Sequence, residues 1–183
     1  MIKRLISFAC CLLPLGAGAV VVNPELGNTS VSTESEAWQN AGAQSIVIKA
    51  SDDFPVINGI VSQNGFSIAN NLYLGMVEQG SESGDLYILS NVSNPFTIVS
   101  QGDVSVGAIL QVLNGKNLTI KSNDSSANVF DLTIGTPGAQ NQGVFVGTDS
   151  AYASFAAEDI DAFTVNGSVL SYGDFSVAAN SVN

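Results

Sequence analysis

The chain of 183 residues contains no histidine and very few basic residues. Only five side chains are Lys or Arg, against sixteen Asp or Glu, so the formal net charge is −11. Without histidine, the sequence lacks the usual base that activates a serine or cysteine nucleophile and the commonest metal ligand. So few cations cannot neutralise a phosphate backbone or hold the chain on an anionic lipid surface. The composition therefore predicts neither a nucleic-acid partner nor a membrane-surface partner.

The N-terminus has the three regions of a secretory signal. Lys3-Arg4 precedes an apolar run from Leu5 to Leu15, and Ala17-Gly18-Ala19 has the small-residue form of a cleavage site. This pattern predicts a signal peptide over 1–19, and disfavours a membrane anchor or lipidation of either cysteine. We therefore expect an extracellular or bacterial cell-surface, outer-membrane-associated protein.

The expected mature chain is poor in reactive side chains. Both cysteines and the one arginine lie within the predicted signal, which leaves Lys49, Lys116 and Lys121 as the cations. No disulfide can form in such a chain despite export. No residue set forms a recognisable catalytic site, so we predict no enzyme activity, no catalytic residues and no cofactor.

The segment 20–44 is rich in Pro, Glu, Ser and Thr and carries Trp38 near its end. Thr33-Glu34-Ser35-Glu36 fits the capping box that begins a helix. We interpret 20–44 as an N-terminal cap that closes the end of a core, with a flexible linker as the alternative.

Short apolar–polar–apolar triplets recur through the rest of the chain and predict strands with one buried face. The densest stretch runs from Phe96 to Ser122, where Gly and Asn turns separate the triplets. The triplets are Phe66-Ser67-Ile68, Leu72-Tyr73-Leu74, Leu86-Tyr87-Ile88, Phe96-Thr97-Ile98, Val104-Ser105-Val106, Leu118-Thr119-Ile120, Leu132-Thr133-Ile134, Phe163-Thr164-Val165 and Phe175-Ser176-Val177.

The repetition predicts an all-β fold over 45–183, most simply a right-handed parallel β-helix, a solenoid. Alternate triplets are about twenty residues apart, as in the pairs Phe66 to Leu86, Phe96 to Leu118 and Val144 to Phe163, which suits one solenoid coil. The alternative is a β-sandwich. Four Asn-Gly pairs, at Asn58, Asn64, Asn114 and Asn166, favour its tight hairpins.

Three segments complete the expected layout. Ser45 to Ala50 is the first predicted strand, and Gly135 to Gln142 is a predicted loop because of Pro137. Ser150 to Phe163 is Ala-rich and fits either a helix or a longer strand. No polar cap follows Phe175-Ser176-Val177, so we expect the repeat domain to be incomplete at its C-terminus.

Units such as Gly102-Asp103-Val104-Ser105-Val106-Gly107 and Gly173-Asp174-Phe175-Ser176-Val177 resemble the passenger domains of bacterial autotransporters and related β-helical adhesins. The resemblance extends from about Ser45 to the end of the chain. It implies export, surface display and adhesion. The family also implies a C-terminal membrane barrel with no counterpart in this sequence, so any anchor to the membrane is expected from a missing C-terminal region.

These features predict a secreted or surface-displayed structural or adhesive protein that binds host or matrix glycans or proteins. The alternative is a carbohydrate-active β-helix enzyme or a carbohydrate-binding module. Its best support is the acidic group Glu158, Asp159 and Asp161, a weak Ca²⁺ candidate because carboxylate oxygens suit that ion. We expect these acids, like Asp52-Asp53, to be a solvated cluster rather than a metal site.

Overall fold

The computed structural model describes residues 24–26, 45–50, 57–62, 65–77, 82–122 and 130–183. The predicted signal peptide, Trp38 with its capping box, and Asp52-Asp53 lie outside these residues. Every regular element within them is a β-strand. In chain order the strands are β1 (Pro24–Leu26), β2 (Ile46–Ile48), β3 (Gly59–Ser62), β4 (Phe66–Ile68), β5 (Leu72–Met76), β6 (Leu86–Leu89), β7 (Phe96–Ser100), β8 (Val104–Val106), β9 (Ile109–Val112), β10 (Asn117–Ser122), β11 (Leu132–Ile134), β12 (Gly143–Val146), β13 (Ser154–Val165), β14 (Ser168–Ser171) and β15 (Phe175–Val182).

The strands form two sheets that curl into a half-barrel around the core. Sheet A has the order β1-β2-β6-β5-β9-β12-β14. The second sheet consists of two stacks that the long strands β13 and β15 join. The first stack is β3-β7-β10 followed by the first halves of β13 and β15, and the second stack is β4-β8-β11 followed by their second halves.

From β3 onward the chain visits the first stack, the second stack and sheet A in that order and then begins again, with β6 as a second strand in sheet A directly after β5. Thus β7, β8 and β9 lie beside β10, β11 and β12, and all of these pairs are parallel. Among the described strands the one antiparallel pair is β1 with β2. The expectation of parallel pairing between neighbouring units is confirmed, and the antiparallel hairpins of the sandwich alternative are wrong for these strands.

Two of the Asn-Gly pairs, Asn114-Gly115 and Asn166-Gly167, turn corners between strands of different sheets instead of closing hairpins. Asn114 and Gly115 have φ values of 51° and 72°, the left-handed geometry of a tight turn, yet they connect β9 of sheet A to β10 of the first stack. The side chains of Asn114 and Asn166 also tie neighbouring turns together. Asn114 Nδ2 donates to Gly75 O at 2.6 Å, and Asn166 Nδ2 donates to Gly135 O at 3.1 Å. The pairs are therefore corner residues, because the next strand belongs to another face.

One elongated core lies between the sheets. The five residues expected to point inward, namely Phe96, Val104, Leu118, Leu132 and Phe163, are all buried in it. Register partners on neighbouring strands lie on the same face of the sheet, so these residues stack on one another in the core. Leu118 pairs with Phe96 on one side and with Phe155 on the other. The rings of Phe155 and Phe175 continue this row with centroids 5.4 Å apart.

Several local expectations are corrected by the pairing. The helix alternative for Ser150 to Phe163 is wrong, since β13 occupies most of it and buries Phe155, Ile160 and Phe163. Phe66 pairs with Val104 rather than Leu86, and Val144 pairs with Leu110 rather than Phe163. Connections of unequal length between strands make a uniform spacing of twenty residues misleading. Ile46–Ile48 is a strand as expected, but β1 precedes it.

The outer face of the second stack carries a ladder of short polar side chains. Ser67, Ser105, Thr133 and Thr164 occupy successive rungs in register, and Ser105 Oγ donates to Ser67 Oγ at 2.8 Å. The loop predicted from Gly135 to Gln142 is confirmed beside this ladder. The described residues include no helix with the length and apolar character needed to span a membrane.

Candidate functional site

The three carboxylates of the Ca²⁺ candidate lie close together in the sequence of β13. The pairing of β13 with β15, however, changes register between them. The shift falls between Ala157 and Ile160, and Asp159 lies there with a φ of 55°. Glu158 is the register partner of Lys121, whereas Asp161 accepts a hydrogen bond from Asn180 Nδ2 at 2.9 Å. Within the described ranges no three acidic side chains are grouped so that they could hold a metal ion.

The two lysines that flank β10 are placed differently from each other. Lys116 is half-buried, and its Nζ donates to the Val92 carbonyl at 2.6 Å. Burial lowers the pKa of Lys116. Lys121 lies on β10 opposite Glu158. Neither arrangement forms a paired cationic grip for an acidic sugar.

The outer face of sheet A carries a row of large side chains that the sequence pattern did not single out. Its members are register partners on successive strands, in the order Val47, Tyr87, Tyr73, Gln111, Phe145 and Leu170. Their neighbours along each strand, such as Leu72 and Leu74 around Tyr73, are buried in the core. Alternation therefore turns the row outward.

The row is buried at one end and open at the other. Val47 and Tyr87 are only 1% and 2% exposed, whereas Leu170 is 47% exposed. Tyr73 and Tyr87 stack with ring centroids 5.3 Å apart and an interplanar angle of 16°. Exposure in the row is therefore greatest at Leu170, on the edge strand β14.

A buried polar cluster lies under the closed end of the row. Asp85 is fully buried, and its Oδ1 accepts hydrogen bonds from the Asn71 backbone N–H and from Asn71 Nδ2, both at 3.0 Å. Its Oδ2 accepts the Tyr87 hydroxyl at 2.6 Å, and Asn71 Oδ1 in turn accepts the Ile109 N–H at 3.1 Å. These bonds join β6 to Asn71, which precedes β5, and join Asn71 in turn to the first residue of β9. The cluster is a structural tie, since every polar group named here is occupied.

The stability of the fold should fall at alkaline pH because of this tyrosine pair. Burial, then the hydrogen bond to Asp85 and its charge, raise the pKa of Tyr87, and burial with the charges of Asp85 and Glu82 raises the pKa of Tyr73. The native state keeps these protons above about pH 10, where an unfolded tyrosine loses its own. The free energy of unfolding therefore keeps its full value below about pH 10 and declines as the pH rises above that value.

Urea unfolding between about pH 8 and pH 11 checks this expectation. Tyr87→Phe should lower the midpoint at pH 8, because the bond to Asp85 is lost, but should flatten the alkaline decline. Tyr152→Phe, at an exposed position, serves as the matched control. An equally steep alkaline decline in Tyr87→Phe and in the unaltered protein would contradict the assignment.

The open end of the row continues around the edge of sheet A onto two turns. Tyr172 follows Leu170 by two residues, and its N–H donates to Val146 O at 2.7 Å, which extends the β12–β14 ladder. Asp149 lies on the turn between β12 and β13, close enough to Tyr172 for its negative charge to raise the pKa of the Tyr172 phenol.

Tyr152 lies next to this position and is 71% exposed. Its backbone is packed between two turns: a side chain built on Gly115 would approach Tyr152 O at 3.6 Å, and one built on Gly173 would collide with Ala153 O. The close packing at Gly115 and Gly173 fixes the backbone while the ring stays free. We call the group Phe145, Asp149, Tyr152, Leu170 and Tyr172 the aromatic corner.

The aromatic corner combines flat apolar rings with one carboxylate and no basic residue. Residues 145–153 and 168–174 contain Asp149 and Asp174 as their only charged side chains. Exposed aromatic side chains are enriched on the surfaces through which proteins bind partners. Sequence reasoning missed this group because Asp149 and Tyr172 are far apart in the chain. The available signal was that Tyr152 and Tyr172 are twenty residues apart, the same separation as that between the register partners Phe155 and Phe175.

The chain matches no protein-family model, no curated protein and no solved structure.

Proposed function

We propose that the chain is a right-handed parallel β-helix that serves as an exported, surface-displayed adhesive protein. The β-helix is supported by the repeated order of first stack, second stack and sheet A, with parallel register between successive passes. Right-handed connections are the strong preference wherever parallel strands of one sheet are joined by a crossover. Export is supported by the signal pattern over 1–19.

The aromatic corner is the proposed contact surface for host or matrix glycans or proteins, and the exposed Tyr152 ring is the observation that carries this proposal. The outward row of the second stack bears short polar groups instead, such as Ser105 and Thr133. A ring that is 71% exposed on a rigid turn offers a large contact area at little entropic cost. Exposed aromatic side chains of this kind are enriched where proteins bind partners.

The double variant Tyr152→Ala, Tyr172→Ala tests the surface. Aromatic stacking contributes about 0.5–1.5 kcal/mol per ring beyond area burial, so losing both should weaken adhesion about tenfold or more. The measurement is adhesion of the purified mature protein to host cells and to matrix-coated surfaces. Ser105→Ala, Thr133→Ala, which alters the hydroxyl ladder on the second stack, is the matched control and should retain full adhesion.

Full adhesion of the tyrosine variant, or equal losses in both variants, would contradict the proposal. The alternative of a carbohydrate-active enzyme is tested in the same incubations, carried out with and without Ca²⁺. Newly formed reducing and unsaturated ends are measured there as the sign of turnover. Turnover that disappears in Asp159→Asn, Asp161→Asn would favour that enzyme over the adhesive role.

A further inference from the structure

We propose that the ligand of the aromatic corner is a neutral glycan, bound with the C–H face of a sugar ring on Tyr152 or Tyr172 and a sugar hydroxyl donated to the Asp149 carboxylate. This inference rests on the proposed function and specifies the ligand class of the same surface. It requires the surface to fit the ring of a sugar, to accept a hydroxyl proton and to disfavour a negative charge.

The first requirement is met by the geometry of the rings. Tyr152 and Leu170 are 71% and 47% exposed, and Leu170 is the register partner of Phe145 across β14 and β12. The face of an aromatic ring carries negative charge density, which attracts the weakly positive C–H groups of a sugar. An exposed surface of this kind suits the side of a sugar chain and predicts weak binding per site.

The second requirement is met by Asp149. Asp149 lies on a tight turn whose ends, Thr148 and Ala151, pair through two backbone hydrogen bonds, and Tyr152 follows that turn directly. An ionised carboxylate has about four lone-pair positions, so it can accept further hydrogen bonds from sugar hydroxyls. The nearby turn residues Thr148 and Ser150, whose hydroxyl oxygens lie 3.4 Å apart, add uncharged hydrogen-bonding groups.

The third requirement follows from charge. The segments that form the corner contain no Lys or Arg, and Lys116, the cation next in sequence to Gly115, is bonded to Val92 O. The whole chain carries a formal charge of −11. A uronate or sialylated glycan would therefore place its carboxylate beside Asp149 with no cation to compensate.

The experiment compares matched sugars that differ only in charge. Neutral gluco-, galacto- and manno-pentasaccharides are titrated into the mature protein, beside the same sugars after oxidation of each C6 hydroxymethyl group to a carboxylate. We expect at least one neutral sugar to bind, and its oxidised form to bind about fivefold more weakly at low salt, as expected for two like charges a few ångströms apart in water. The difference should shrink at high salt because of screening.

Asp149→Asn tests the role of the carboxylate. The amide retains a hydrogen-bonding oxygen, so neutral-sugar binding should persist, while the discrimination against the oxidised sugar should disappear. An alkaline titration of the phenols, with Tyr172→Phe as the reference, should show the pKa of Tyr172 lowered in Asp149→Asn. Asp131→Asn, an exposed acid beside β11, is the control and should retain the discrimination.

The outcomes separate the two proposals. Oxidised sugars that bind as tightly as neutral ones, or more tightly, would overturn the neutral-glycan inference. Adhesion that depends on Tyr152 and Tyr172 without binding of any neutral sugar would also overturn it, while leaving the adhesive role intact. Adhesion that is unchanged when both tyrosines are replaced would overturn the proposed function itself.

Discussion

Replacing Phe96 by alanine is expected to lower the free energy of unfolding by about 3–5 kcal/mol, the usual cost of removing a buried phenylalanine ring. Phe96 is fully buried, at the start of β7, and is the register partner of Leu118 in the next rung. The cavity would lie in the middle of the row that continues to Phe155, where the neighbouring strands cannot collapse without losing their backbone pairing.

Thr97→Ala is the matched control, because Thr97 is the next residue on the same strand and alternation turns it outward. It should cost well under about 1 kcal/mol. Urea unfolding monitored by circular dichroism measures both variants. Equal shifts of the two midpoints would show that the inward and outward faces of β7 are wrongly assigned.

Replacing Asp85 by alanine is expected to cost about 3 kcal/mol or more. The change would leave the Asn71 N–H, Asn71 Nδ2 and the Tyr87 hydroxyl without the acceptor that each now has. Each buried polar group deprived of its partner costs about 1–3 kcal/mol. Because the cluster joins β6 to the strands beside it, native-state hydrogen exchange should also report early opening of β6.

Two other variants separate this hydrogen-bonding effect from charge alone. Asp85→Asn keeps an oxygen that can accept both bonds from Asn71 and should therefore cost clearly less than Asp85→Ala. Asp131→Ala removes an exposed acid and should change the stability by no more than about 0.5 kcal/mol. A loss in Asp85→Ala no greater than that in Asp131→Ala would contradict the role of the cluster.

The strands and their buried faces could be predicted from the apolar–polar–apolar triplets, because alternation reports burial directly. The pairing of Leu118 with Phe96 could also be predicted, since only the one pass through β8 and β9 separates β7 from β10 in the chain. The position of β6 could not. Strand β6 follows β5 directly in the chain, yet its Leu86 pairs with Leu72 along the edge of β5 that lies away from β9. Triplets this similar give no preference between the two edges of a strand.

The conformation of Ser150 to Phe163 was ambiguous for a related reason. Its alanines favour a helix, but Phe155, Ile160 and Phe163 all fill the core when the segment is extended, with Asp159 at a left-handed φ of 55° to absorb the change of register. Burial of these side chains outweighs the small intrinsic preference. The aromatic corner was unpredictable in the same way, because it depends on which turns become neighbours.

Mapping a neutral pentasaccharide onto isotope-labelled mature protein by NMR tests the central claim, binding at the aromatic corner, most directly. Backbone amide shifts recorded through a titration show which residues the sugar approaches. We expect the largest shifts to fall within 145–153 and 170–173, and we expect Tyr152→Ala, Tyr172→Ala to abolish them. Shifts that instead follow the ladder of Ser67, Ser105, Thr133 and Thr164, or that survive the double variant, would contradict the central claim.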